Sequence, residues 1–121
     1  MNLEILPGTY TVCKVSAMQE IDLNMEFCFI GKTGDEISLV CRTQDTPCNT
    51  TEREDGWKGF RVAGTLDFSL TGILSKLSGI LAENGIALFA VSTYNTDYIL
   101  VKEHDFKKAV PALTAAGYSF A

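Results

Sequence analysis

Between residues 57 and 120 the spacing of apolar residues switches between two and three-to-four, twice over. That order constrains the fold more than any other feature of the chain. "WKGFRVAGTL" (57–66) alternates, with Phe60, Val62 and Leu66 on one side and Arg61 and Thr65 on the other, as a half-buried strand does. Leu70, Ile73, Leu74, Leu77, Ile80 and Leu81 then form one stripe at helical spacing, and Gly85 follows where a helix can stop. "IALFAVST" (86–93) and "DYILV" (97–101) read as strands joined through a hairpin loop at "YNT" (94–96). From His104 to Ala116 helical spacing returns through Phe106, Val110 and Leu113, with Gly117 as the stop and "YSF" (118–120) as a last short strand. The order is β-α-β-β-α-β, the split βαβ or ferredoxin-like arrangement of an α+β fold. Pro111 is out of place in it, because a proline inside a helix removes a hydrogen bond, and a kink or early break is expected there.

The first half reads as a shortened copy. "YTVCKV" (10–15), "EFCFIG" (26–31) and "EISLVC" (36–41) are three strand candidates. "GDEISLVC" (34–41) matches "NTDYILVK" (95–102) at an offset of 61, from Gly34 to Asn95, whereas Val12 and Val62 differ by 50. The difference of about three helical turns leaves only "AMQEIDLNM" (17–25) where the first helix would be. The polar stretch 43–56 stands in for the second helix as a loop. Two units are therefore expected: a degenerate one over 1–56, with a linker loop at 43–56, and a full one over 57–121.

The composition narrows the function. Ten Lys and Arg against fifteen Asp and Glu give a formal charge of −5, with no basic run, which argues against nucleic acid or an anionic membrane as partner. The longest apolar stretch is "IALFAV" (86–91), far short of the roughly 20 residues that cross a bilayer. "MNLEILPGTY" lacks the basic start and apolar core of a signal peptide, so a cytoplasmic location is expected. Cys13, Cys28, Cys41 and Cys48 include no C-x-x-C pair, so no metal is expected. The first three lie in strand-like runs and are expected to be buried thiols, while Cys48 lies in polar sequence. His104 is the one histidine, and "GKTG" (31–34) is a turn and no phosphate loop. Neither an enzyme nor a cofactor is expected.

"LDFSLTGILSKLSGILAENGIALFAVSTYNTDYILV" (66–101) resembles the small tandem ACT-domain proteins of microbes. It is similar too to the regulatory ACT modules of aspartate kinases and of cytosolic arginine sensors. "LPGTYTVCKV" and "DEISLVC" resemble the N-terminal module of such proteins, less strongly. The resemblance implies two ferredoxin-like modules paired side by side, a homodimer, and regulation through a bound small amino acid. A partner enzyme or regulator encoded elsewhere is then expected.

The resemblance implies that the ligand lies between the helix start of one module and the second and third strands of its neighbour. A helix start offers unpaired N–H groups and a partial positive charge to a carboxylate, here around Ser69, Leu70, Thr71, Gly72 and Ile73. Gly72 has no Cβ to hold a ligand away. The resemblance places Asn95, Thr96 and Asp97 at the other side, with Asp97 for an ammonium group; Thr93 belongs to the same turn, and Phe89 and Tyr94 are candidates for lining the side-chain pocket. The plainer readings stand beside these: Ser69 as a simple helix cap, Asn95 and Asp97 as turn formers, and the whole chain as an adaptor for protein contacts without a small ligand.

Overall fold

A computed structural model of the chain describes residues 1–63 and 72–120, in which eight strands and two α-helices form. The strands are β1 (Asn2–Ile5), β2 (Tyr10–Val15), β3 (Cys28–Lys32), β4 (Ile37–Arg42), β5 (Glu52–Val62), β6 (Leu88–Ser92), β7 (Asp97–Lys102) and β8 (Ser119–Phe120). The helices are α1 (Ile73–Glu83) and α2 (Glu103–Ala115). No helix among the described residues is long and apolar enough to cross a membrane. The contacts divide the chain into a first unit, Gly8–Trp57, and a second unit made of Met1–Pro7 with Lys58–Ala121.

The second unit carries the α+β order read from the sequence. Its strands run β6-β7-β5-β1-β8, where β1 pairs antiparallel with β5 and parallel with β8. Leu3, Phe60, Val62, Ile99 and Val101 on one sheet face meet Leu77 and Leu81 of α1 and Ala109 and Leu113 of α2, all fully buried. Of these, Phe60, Val62, Leu77, Leu81 and Leu113 are residues that the spacing of two and of three-to-four had put on the inner sides, whereas the core takes Ala109 and not the expected Val110. Helix α1 ends as Gly85 requires: Gly85 N–H donates to Ala82 C=O (3.0 Å) and Ile86 N–H to Leu81 C=O (2.9 Å), with Gly85 left-handed at φ 71°. The same motif closes α2 at Gly117.

Two expectations need correction here, and one strand was not among them. Helix α2 does not break at Pro111 but continues to Ala115; Pro111 is on the exposed side, and the buried Ala109 and Leu113 hold the helix on the sheet across it. Strand β1 went unread, being four residues long and followed at once by Pro7-Gly8. Because β1 pairs with β5 and β8, residues 1–7 group with the second half of the chain and not with residues 8–56. The expected strand through Leu66 and the helix stripe at Leu70 extend outside the described residues.

In the first unit the strands run β3-β4-β2-β5, the last contributing its initial half. The loop expected over 43–56 is in fact shorter, since β5 begins at Glu52 and pairs Glu52 with Lys14 and Arg53 with Cys13. Its polar sequence is satisfied locally. Asp55 accepts from the buried Thr11 hydroxyl (2.7 Å) and from Arg53 Nε (2.9 Å), and the Thr11 oxygen in turn accepts from the Thr43 hydroxyl (3.0 Å). Single 3₁₀ turns form at Met18–Glu20 and Thr43–Asp45, within the two stretches where the sequence reading expected a shortened or missing helix. Cys13, Val15, Ile21, Leu39 and Cys41 form its small core.

The internal match holds at 60, not 61. Strands β3 and β4 correspond to β6 and β7 residue by residue, with the same burial sequence along β4 and β7. The turn bonds coincide as well: Thr33 N–H to Glu36 C=O (3.0 Å) and Thr93 N–H to Thr96 C=O (2.9 Å). At 61, Val40, which lies outside the first core, would be equated with Val101, which is inside the second. A slip of one residue along a strand exchanges its two faces.

Burial, and after it the neighbouring Cys41, pushes the Cys13 thiol up from 9.0 to about 11. Above pH 9 the unfolded chain releases a proton that the folded chain keeps, so stability falls as pH rises toward 11. The expected loss from this thiol is about 2 kcal/mol. Urea midpoints measured from pH 8 to 11 should fall less steeply for Cys13→Ala than for the unaltered protein.

Candidate functional site

The two sequence segments singled out as a site occupy two corners of the second unit. Helix α1 begins at Gly72, whose backbone is left-handed (φ 78°) and which gives no side-chain cap. Its carbonyl accepts from Lys76 N–H (2.8 Å), closing the first turn. The N–H groups at the start of any α-helix lack intrahelical partners, and this first turn carries no acid that would compete for them. A shallow cleft of about 190 Å³ opens there, lined by Gly72, Ile73 and Lys76 on α1, by Ala116–Tyr118 after α2, and by Met1. A drug-sized molecule needs about 300 Å³ or more; a small metabolite does not. Ser69, Leu70 and Thr71 lie outside the described residues.

The left-handed backbone changes what a substitution at Gly72 would do. A Cβ there meets nothing within 4 Å, so space is not the obstacle. The positive φ is, at about 1–2 kcal/mol for an L-residue. Gly72→Val would therefore strain the fold as well as obstruct the helix start.

The second corner is the β6–β7 hairpin. Ser92 and Asp97 face each other across it, and the Ser92 hydroxyl donates to Asp97 Oδ1 (2.7 Å). Thr93 and Thr96 close the turn through their backbones and through the Thr93 hydroxyl. Thr96 is 3% exposed, and its hydroxyl donates to Val62 C=O (2.8 Å). Since Val62 is the last residue of β5, this bond ties the hairpin to the strand whose continuation leads toward α1. Asn95 is exposed and Tyr94 is 79% exposed. Phe89 is half-buried opposite Leu100, one residue along from the Leu88 that packs on the core, so it lies on the face away from the helices.

Gly72 and Ile73 line the cleft; none of Phe89, Thr93, Tyr94, Asn95, Thr96 and Asp97 does. Lys76 was missed, although its place one helical turn after Gly72 could have pointed to it. Met1, Ala116 and Tyr118 gave no signal of that kind, because only the fold brings them there. His104 is exposed at the start of α2, 3.5 Å from Asp105. Among the described residues no group of three or more His, Cys, Asp or Glu could hold a metal ion.

The βαββαβ order, the glycine-led helix and the threonine-closed hairpin coincide with a family match. The model of the ACT domain matches residues 52–115. The chain belongs to the ACT-domain family. A crystal structure of an Agobacterium tumefaciens protein is similar to this ACT-domain chain at 34% identity and a TM-score of 0.87, covering 99% of it and 91% of that protein. A Vibrio cholerae protein of unknown function, described as a possible transport protein, matches at 19% identity and a TM-score of 0.72, covering 92% and 85%. Aspartate kinase of Clostridium acetobutylicum, described as an allosteric enzyme, shares the fold at 16% identity and a TM-score of 0.63. The match covers 89% of this chain and 33% of the kinase. No curated protein sequence matches the chain.

Replacing the Thr96 hydroxyl by a methyl group leaves the Val62 carbonyl without its donor. Thr96→Val is expected to lower stability by about 1–3 kcal/mol, read as a fall in urea midpoint at unchanged slope. Thr93→Val, whose hydroxyl bonds only within the turn, should cost less.

Proposed function

We propose that this ACT-domain protein is a regulatory sensor for one small amino acid, bound between the helix start of one module and the hairpin of another. The observation that carries this reading is the start of α1: a glycine-led, acid-free helix end at a cleft of metabolite size with Lys76 at its rim. An amino-acid carboxylate placed there gains backbone hydrogen bonds and the favourable end of the helix dipole. Ser69, Leu70 and Thr71 precede this turn and complete the carboxylate seat with Gly72 and Ile73. The Asp97 carboxylate of a neighbouring module receives the ammonium group, with Thr93, Asn95 and Thr96 shaping the turn around it and Phe89 and Tyr94 beside the side chain.

We read the two units as tandem ACT modules, the first having lost its helices. The correspondence at 60 residues supports this, including near-identical backbone angles at the ends of β4 and β7 (Arg42 φ −62°, ψ 142°; Lys102 φ −62°, ψ 145°). Among the described residues β3, β6 and β8 have a paired strand on one side only, and pairing of modules between two chains would cover part of their other edges. With bound amino acid such a homodimer would dock on an enzyme or regulator supplied separately.

A thermal-shift panel of the twenty amino acids tests the ligand. One of them at 100 times its Kd should stabilise the fold by about 2.7 kcal/mol, roughly 10 °C in Tm for a chain of this size. Asp97→Asn should weaken that amino acid by about 10-fold to 100-fold at little cost in stability. A panel without any shift would favour the adaptor reading. In sedimentation, a species of twice the 13.2 kDa chain mass is expected at micromolar concentration; a monomer throughout would remove the dimer.

A further inference from the structure

The first unit places three of the four cysteines on one sheet face. In the register of β3 and β4, Cys28 is directly opposite Cys41, and in that of β2 and β4, Cys41 is opposite Thr11 and Cys13 opposite Leu39. Residues two apart on a strand share a face. Cys28, Cys41 and Cys13 are therefore neighbours on the side that packs against Met18, Ile21 and Met25. All three are free thiols.

We propose that Cys28 and Cys41 are a peroxide-responsive thiol pair that forms a cross-strand disulfide. Directly opposed residues of antiparallel strands have Cα atoms about 4.5 or 5.5 Å apart, and either spacing lies within the roughly 4.4–6.8 Å that a disulfide spans. Cys13 is diagonal to Cys41, and such neighbours are about 7–8 Å apart, too far without moving a strand. The register thus selects Cys28 over Cys13 as the partner of Cys41. Access differs in the same sense. Cys28 is half-buried on the edge strand β3, while Cys41 and Cys13 are buried.

The chemistry balances with a peroxide as oxidant. The Cys28 thiolate attacks one oxygen of hydrogen peroxide, the O–O bond breaks, and a sulfenic acid forms as water leaves. The Cys41 sulfur then attacks that sulfur and expels a second water. Two thiols and one peroxide give one disulfide and two waters. The link fixes β3 to β4 and closes the Thr33–Glu36 hairpin between them, and a dithiol reductant restores both thiols. Reversible bonds of this kind are the redox-sensing use of cysteine in reducing compartments.

The test uses the full chain as Cys48→Ser, which removes the exposed thiol. After mild hydrogen peroxide, intact mass should fall by about 2 Da, reductant should reverse it, and peptide mapping should find the Cys28–Cys41 link with Cys13 still a thiol. A further Cys28→Ser change should abolish the mass loss, and its folding can be verified by circular dichroism. A Cys13–Cys41 link, a gain of oxygen on Cys28 without any link, or three unreacted thiols would each overturn the proposal. Mapping on the Cys48→Ser protein decides the matter even where Cys28→Ser fails to fold.

Discussion

Strand β5 is the constraint on which the rest depends. Its first residues pair with β2, and its last pair with β1 and β7. In the order β3-β4-β2-β5 it takes the place of a fourth strand, and in β6-β7-β5-β1-β8 that of a first strand. One run of backbone thus carries strand pairing in both units. This explains a sequence that changes character midway: Glu52–Asp55 is polar and exposed, whereas Trp57, Gly59, Phe60 and Val62 are buried. The first part is held by side-chain bonds around Asp55 and Thr11, the second by apolar contact with two helices.

The legible parts of the fold were those where one face is buried and the other wet. Phe60 with Val62, Leu77 with Leu81, and Phe106 with Leu113 carry the period of their element because each meets a core on one side. What escaped was decided elsewhere. Strand β1 is four residues long, with only Leu3 buried, too short to establish a period. Glu52–Asp55 has no apolar residue, so its strand is set by β2 as neighbour and not by pattern. The internal repeat was found by matching letters, and Leu-Val against Leu-Val gave a register one residue off. Burial corrects it, because the pleat distinguishes inner from outer faces where letters do not.

The candidate site shows the same division. Gly72 at the start of a helix follows from its place before an apolar stripe, and the turn at 93–96 follows from polar residues between two strands. The partners of these residues do not follow. Lys76 is local and was within reach; Tyr118, Ala116 and Met1 are brought there by the packing of α2 beside α1 and the pairing of β8 with β1. Thr96 is the instructive case. A threonine in a turn suggests an exposed hydroxyl, yet here it is almost fully buried and fixes the hairpin to Val62.

The placement of β1 makes the first unit an insertion within the second, between Pro7 and Lys58. Asn2 lies beside Ser119, and Met1 C=O accepts from Ser119 N–H (3.2 Å), across nearly the whole length of the chain. Such a contact is among the last that a growing chain can make, and long-range pairing is slow because its loop entropy comes due first. During synthesis β1 emerges before its partner β5, and β8 joins it later still. A fragment starting at residue 58 would leave β8 without the strand that it pairs with, so the family match at 52–115 marks a recognisable sequence and not a separable body.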